Sequence, residues 1–191
     1  MKRKFSTLLC VLVGAMALGT NVSAKEKTSV EFWKDPNLNE VNRLPMTTTF
    51  ATDGLKLSLS GLWKFNFNKD LNTRPTDFYR DGYDDSQWGT IPVPGLWDLN
   101  GYCDPISVNT PYPWDGPFPN TPPIVPDEHN YVGQYRHNFF LGEEWKGQDI
   151  VLHIGSATSN VKVWVNGKEV GYSEDSKLEA RFDRTKFVKL G

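Results

Sequence analysis

Val161-Lys162-Val163-Trp164-Val165-Asn166-Gly167-Lys168-Glu169-Val170-Gly171-Tyr172 is the stretch on which the fold turns. Three valines alternate with Lys162 and Trp164, the period of an extended strand with one face on a core. Asn166-Gly167 follows at once. Both residues tolerate the positive φ of a type I′ turn, so the pair predicts a hairpin whose return strand is Lys168 to Tyr172.

The same period recurs outward from this hairpin. Ile150 to Ile154 is a mostly apolar run of strand length, and Tyr135, His137 and Phe139 share a face opposite Arg136 and Asn138. Trp63, Phe65 and Phe67 alternate with polar residues, and Leu55-Lys56-Leu57-Ser58-Leu59 predicts a further half-buried strand joined to them through Ser60-Gly61. Tyr83 to Trp88 reads as a loop held by an aromatic at each end. No segment keeps a helical period, and there is no internal repeat. Short strands joined by Gly, Pro and Asn turns predict an all-β fold, an antiparallel β-sandwich.

Between the strands runs a long connector, Ile91 to Arg136. Ten of the 13 prolines lie in it. Proline fixes φ and lacks a backbone donor, so the connector is expected to hold neither a helix nor a central strand. It also carries Trp97, Tyr102, Tyr112, Trp114, Phe118 and Tyr131, whereas disordered segments are poor in aromatics. A long ordered loop of this kind is usually functional.

Lys2-Arg3-Lys4, the apolar run Leu8–Leu18 and Val22-Ser23-Ala24 have the form of a secretory signal peptide over residues 1–24. Cys10 lies too early in the apolar run for a lipid anchor. The reading is therefore a signal peptide (1–24), a polar arm (25–52) and one sandwich domain (53–191), exported to the periplasm or beyond. Phe32-Trp33 would pin the arm to the domain. Net charge is −2, which favours neither nucleic acid nor a membrane surface. Cys103 alone follows the leader, so no internal disulfide is expected. The chain reaches Gly191 without a strand to close the sandwich, and the expectation is a domain incomplete at its C-terminus.

Nucleophile elbows, phosphate loops, Rossmann glycines and zinc spacings are absent from the sequence. Glycoside cleavage uses two carboxylates roughly 5 to 10 Å apart, and no Asp or Glu here ends an apolar strand. Binding is better served. Aromatic rings stack on sugar C–H faces and amides pair with hydroxyls. Asn109, held between Val108 and Thr110-Pro111, is the pointed candidate, with a local Asx turn as the alternative.

Asn42-Arg43-Leu44, Leu59-Ser60-Gly61-Leu62-Trp63-Lys64-Phe65, Ile91-Pro92-Val93-Pro94-Gly95-Leu96-Trp97, Gly101-Tyr102, Asn109-Thr110-Pro111-Tyr112-Pro113, Val163-Trp164-Val165-Asn166-Gly167 and Val170-Gly171-Tyr172-Ser173-Glu174-Asp175-Ser176 occur in that order. Together they resemble the N-terminal sugar-binding domain of bacterial β-galactosidases in glycoside hydrolase family 2. The resemblance implies a jelly-roll sandwich, similar to galactose-binding domains, that precedes immunoglobulin-like domains and a (β/α)8 barrel. In that family the barrel holds the two catalytic glutamates, so no catalytic residue is carried over to this chain. The matching position implies that Asn109 contacts the terminal galactose. Some members hold a structural Mg²⁺, and the matching ligands here are Asp35 and Glu174, although Phe32 stands where others have an acid. The implied partners are β-galactoside sugars, the remaining domains of a full-length enzyme and further copies of it. A free-standing carbohydrate-binding or adhesion module, or a sister β-glucuronidase or β-mannosidase, are the alternatives.

Overall fold

The computed structural model of the chain describes residues 6–11, 31–47, 51–103, 123–125 and 130–188. Nine strands are found among them: β1 (Ser6–Val11), β2 (Glu40–Val41), β3 (Gly61–Asn68), β4 (Gly89–Val93), β5 (Val132–Phe139), β6 (Val151–Ile154), β7 (Asn160–Val165), β8 (Lys168–Glu174) and β9 (Ala180–Asp183). The only helical pieces described are single 3-10 turns, such as Phe32–Lys34 and Asp98–Asn100. Seven strands form one sheet in the order β2-β8-β7-β1-β5-β3-β4, and β6 and β9 form a second. All pairings are antiparallel, as expected of an all-β sandwich.

The hairpin forms as its turn residues require, with Asn166 at φ 49° and Gly167 at φ 75°. Its register slips between Val163 and Trp164, which pair with Gly171 and Glu169 and leave Val170 as the extra residue of a bulge. Val163, Val165, Val170, Ala180 and Phe182 make one core with Trp63, between the large sheet and the β6–β9 pair. Trp33, Leu71, Phe78, Val132, Trp164 and Tyr172 make a second core on the opposite face, under the arm and the 70–88 loop. β7 is thus covered on both sides. Gly171 lies where the arm and β9 close in: a Cβ there would collide with the Val41 carbonyl and stand 2.7 Å from the Phe182 ring.

Two expectations are corrected. Leu55–Leu59 joins neither sheet. Leu55 and Leu57 are 49% and 44% exposed, so the alternation covers no core, and Gly61, the first residue of β3, turns the chain with φ 148°. Only Leu59 reaches the core, and its carbonyl accepts from Trp63 Nε1 at 2.7 Å. The start of the connector, read as loop, contains the edge strand β4. Pro92 is accommodated because an edge strand has one side without a ladder to supply. Ser6–Val11, within the segment read as a leader, pairs through its backbone with both β5 and β7.

Candidate functional site

The connector is held at both shoulders by one aromatic group on β3 and β5. Alternation along β3 sets Trp63, Phe65 and Phe67 on one face, and the register places Tyr135 opposite Phe65 and Gly133 opposite Phe67. Gly133 leaves a gap in this row. Trp97 fills it: a Cβ on Gly133 would stand 2.5 Å from Trp97 Cζ2 and 2.8 Å from Phe65 Cε2. Trp97 Nε1 donates to the Tyr135 hydroxyl, so the ring is fixed in position as well as packed against the sheet.

From Trp97 the chain makes one 3-10 turn, closed by Gly101 at φ 78°, where a side chain would be strained. The Asn100 amide donates to the Leu96 carbonyl at 2.7 Å, and Tyr102 N–H donates to the Trp97 carbonyl at 3.0 Å. Tyr102 then sets its ring edge-on to Phe65, with centroids 4.5 Å apart, and its hydroxyl donates to the Thr90 carbonyl at 3.1 Å. On the returning side Tyr131 meets Phe67 edge-on at 5.6 Å, and Phe67 also meets Trp97 at 5.3 Å. Both ends of the connector therefore converge on Phe67. Trp97, Tyr102, Phe67 and Tyr131 are only partly buried. They give the connector a rigid base with aromatic faces in reach of solvent. Asn109 lies outside the described residues.

Beside this base, on the opposite face of β3 and β5, is a small polar cleft of about 170 Å³ lined by Leu62, Lys64, Asp85, Arg136, His137 and Asn138. Sequence reading missed it, because its key residue, Arg136, looked like the solvated side of a strand. Arg136 is 7% exposed. Its Nε lies 2.7 Å from Asp85 Oδ2, its Nη1 donates to the Phe78 and Arg80 carbonyls, and its guanidinium lies over Tyr83. This network ties the 78–88 loop to β5. The only hint of it in the sequence was the run of acids and aromatics from Tyr79 to Trp88. His137 stacks on Trp63 with centroids 4.8 Å apart, and burial holds its imidazole below the ordinary histidine value.

The proposed metal ligands lie on neighbouring segments. The Glu174 N–H donates to the Asn39 carbonyl at 2.9 Å, and β2 pairs with Tyr172 and Ser173, so the arm after Asp35 runs along the end of β8. Asp35 Oδ1 accepts from the Asn37 N–H at 2.9 Å. Glu174 Oε1 accepts from the Tyr172 hydroxyl at 2.6 Å, and burial together with that carboxylate pushes the phenol far up, keeping it a donor. No group of three or more His, Cys, Asp or Glu suited to a metal is found among the described residues. Asp35 and Glu174 offer two hard oxygens, and Mg²⁺ commonly keeps several waters beside one or two carboxylates.

Asp84, Glu179 and Asp183 are all pushed down, by hydrogen bonds from Ser86, Thr47 and Thr185 in turn. A general acid needs the opposite shift. No described helix is long and apolar enough to cross a membrane.

Residues 56–191 match the family described as glycosyl hydrolases family 2, sugar binding domain. The chain is 36% identical over 179 residues to a β-galactosidase of Halalkalibacterium halodurans, covering 87% of this chain and 18% of that protein. It is 34% identical to the β-galactosidase large subunit of Leuconostoc lactis over 85% of this chain and 30% of that subunit. Identity to the β-galactosidase of Priestia megaterium is 38%, over 70% of this chain and 13% of the relative. The chain thus spans less than a third of the length of each of these relatives.

Proposed function

Since this chain belongs to glycosyl hydrolases family 2, with residues 56–191 as its sugar binding domain, we propose that it holds the terminal sugar of a β-galactoside for catalytic groups carried elsewhere in a larger β-galactosidase. The relatives named β-galactosidases support the substrate class. The observation that carries the reading is the anchoring of both connector shoulders on Phe67. Shoulders fixed before binding lower the ordering cost of what the connector presents. Asn109 is the residue assigned to the sugar hydroxyl. Binding energy gained at the non-reacting sugar is then converted into orientation at the bond to be cut.

The test is Asn109→Ala in the full-length polypeptide. Loss of one hydrogen bond to a hydroxyl costs about 1–3 kcal/mol, so kcat/KM on a β-galactoside falls by roughly 5- to 150-fold with an unchanged melting temperature. Unaltered kinetics would remove Asn109 from the site.

Asp35 and Glu174 are the residues proposed to hold a structural Mg²⁺, which would join the arm to β8. The check is thermal. Mg²⁺ at ten times its dissociation constant should stabilise the protein by about 1.4 kcal/mol, and Asp35→Ala should abolish the shift. A melting curve indifferent to Mg²⁺ would dismiss the site. Processing after Ala24 and export of the remaining chain complete the proposal.

A further inference from the structure

The polar cleft on the far side of β3 and β5 takes no part in holding the connector. Its floor is the sheet face that carries Leu62, Lys64, Arg136 and Asn138, with Lys64 directly opposite Arg136 in the register. Its wall is the 78–88 loop, through Asp85. The ring of His137 is turned to Trp63 instead. Arg136 Nη1 donates to the Phe78 and Arg80 carbonyls and Nε faces Asp85 Oδ2, whereas Nη2 has no partner among the described residues. Asp85 Oδ1 likewise accepts from no described group, and Lys64 Nζ reaches the Trp88 carbonyl only at 3.4 Å. Free donors and a free acceptor therefore stand around one opening.

Charge narrows what could enter. Two cations meet two anions here, because Asp84 stands close enough to Lys64 for its carboxylate to be favoured by that charge. An anion in the cleft would face Asp85, and a cation would face Arg136. A neutral ligand that both donates and accepts suits every group, the Asn138 amide included, and hydroxyls do both. Leu62, 69% exposed, adds apolar surface for C–H groups. At about 170 Å³ the cleft is smaller than the roughly 300–1,000 Å³ of sites for drug-sized ligands, so it fits one ring rather than a chain. We propose that this cleft is a second carbohydrate site, holding one neutral sugar ring through Arg136 Nη2, Lys64, Asp85 and Asn138. It lies on the other sheet face from the connector base and does not involve Asn109. Arg136 is fixed by its protein partners, so its open amino group is presented at little ordering cost.

The test is equilibrium dialysis of the full-length polypeptide against radiolabelled methyl 1-thio-β-D-galactoside, which resists hydrolysis. Two classes of site are expected. Lys64→Met should weaken one class about tenfold or more, since a hydrogen bond from a charged group is lost, and leave the other unaltered. Asn138→Ala, at an exposed position, should weaken the same class and serves as the second variant. Asn109→Ala should act on the other class alone. A single class that Asn109→Ala weakens and Lys64→Met leaves unaltered overturns the second site and keeps the connector reading. A single class with the opposite sensitivities supports the cleft and removes Asn109. A second class indifferent to both Lys64→Met and Asn138→Ala overturns the cleft as its location.

Discussion

Gly133 decides how the connector meets the sheet. A residue without a side chain in the middle of β5 weakens a strand unless something needs the space, and here Trp97 occupies it. Gly133→Ala should force Trp97 or Phe65 to move. Overpacking of this kind costs about 1–3 kcal/mol, to be read as a lower urea midpoint with altered tryptophan emission. Unchanged stability and emission would mean that Trp97 is not seated there. From the sequence, Trp97 was legible as one ring of an aromatic-rich loop. Its partner was not, because a glycine carries no pattern. Lys162 shows the same limit. It alternates with inward valines and so reads as solvated, yet it is 3% exposed, with its ammonium 3.0 Å from Glu169 and over the Phe32 and Trp164 rings. Burial lowers its pKa while Glu169 raises it. What covers it is the arm, more than a hundred residues earlier in the chain.

Among the elements, the hairpin β7–β8 was fully legible because turn chemistry and strand period agree over twelve consecutive residues. Leu55–Leu59 was misread because the same period there is not matched by burial. β4 went unseen because Pro92 reads as a breaker unless the strand is known to be an edge. The arm was expected to be pinned by Phe32-Trp33, and it is: Trp33 is 8% exposed in the second core, and Phe32 lies 5.2 Å from the Tyr172 ring. Polar contacts continue the attachment. Arg43 Nη1 donates to Ser173 Oγ at 2.7 Å, Leu44 N–H donates to the Arg181 carbonyl at 2.8 Å, and Thr47 donates twice to Glu179 Oε1. Trp33→Ala removes the anchor of this whole element, at a cost of about 3–5 kcal/mol. Limited proteolysis within Glu31–Thr47 should then accelerate at least ~10-fold, since local opening sets the rate. Equal digestion of both proteins would show that the polar contacts suffice alone.

For the molecule as a whole, His137 and the lowered carboxylates, Glu179 among them, shape the acid side of the stability curve. His137 has its folded pKa lowered from 6.5 by burial. The unfolded chain takes up that proton first, so stability is level at higher pH and declines as pH falls below about 6.5, until the folded imidazole also protonates. Glu179 is the reverse in origin. Its carboxylate is favoured in the fold by Thr47, then Arg181 and His153, so its contribution is present above 4.5 and is lost as pH falls through the lowered folded value. Urea midpoints measured from pH 8 to 3 should thus decline in two stages, and His137→Phe should erase the upper one. A variant that follows the wild-type curve between pH 7 and 5.5 would exclude His137 as its source.

The large sheet ends on one side at β4, interrupted by Pro92, and on the other at β2, only two residues long. The row of pairing groups is thus broken at one rim and short at the other, so lateral addition of a neighbouring molecule to this sheet is disfavoured at both.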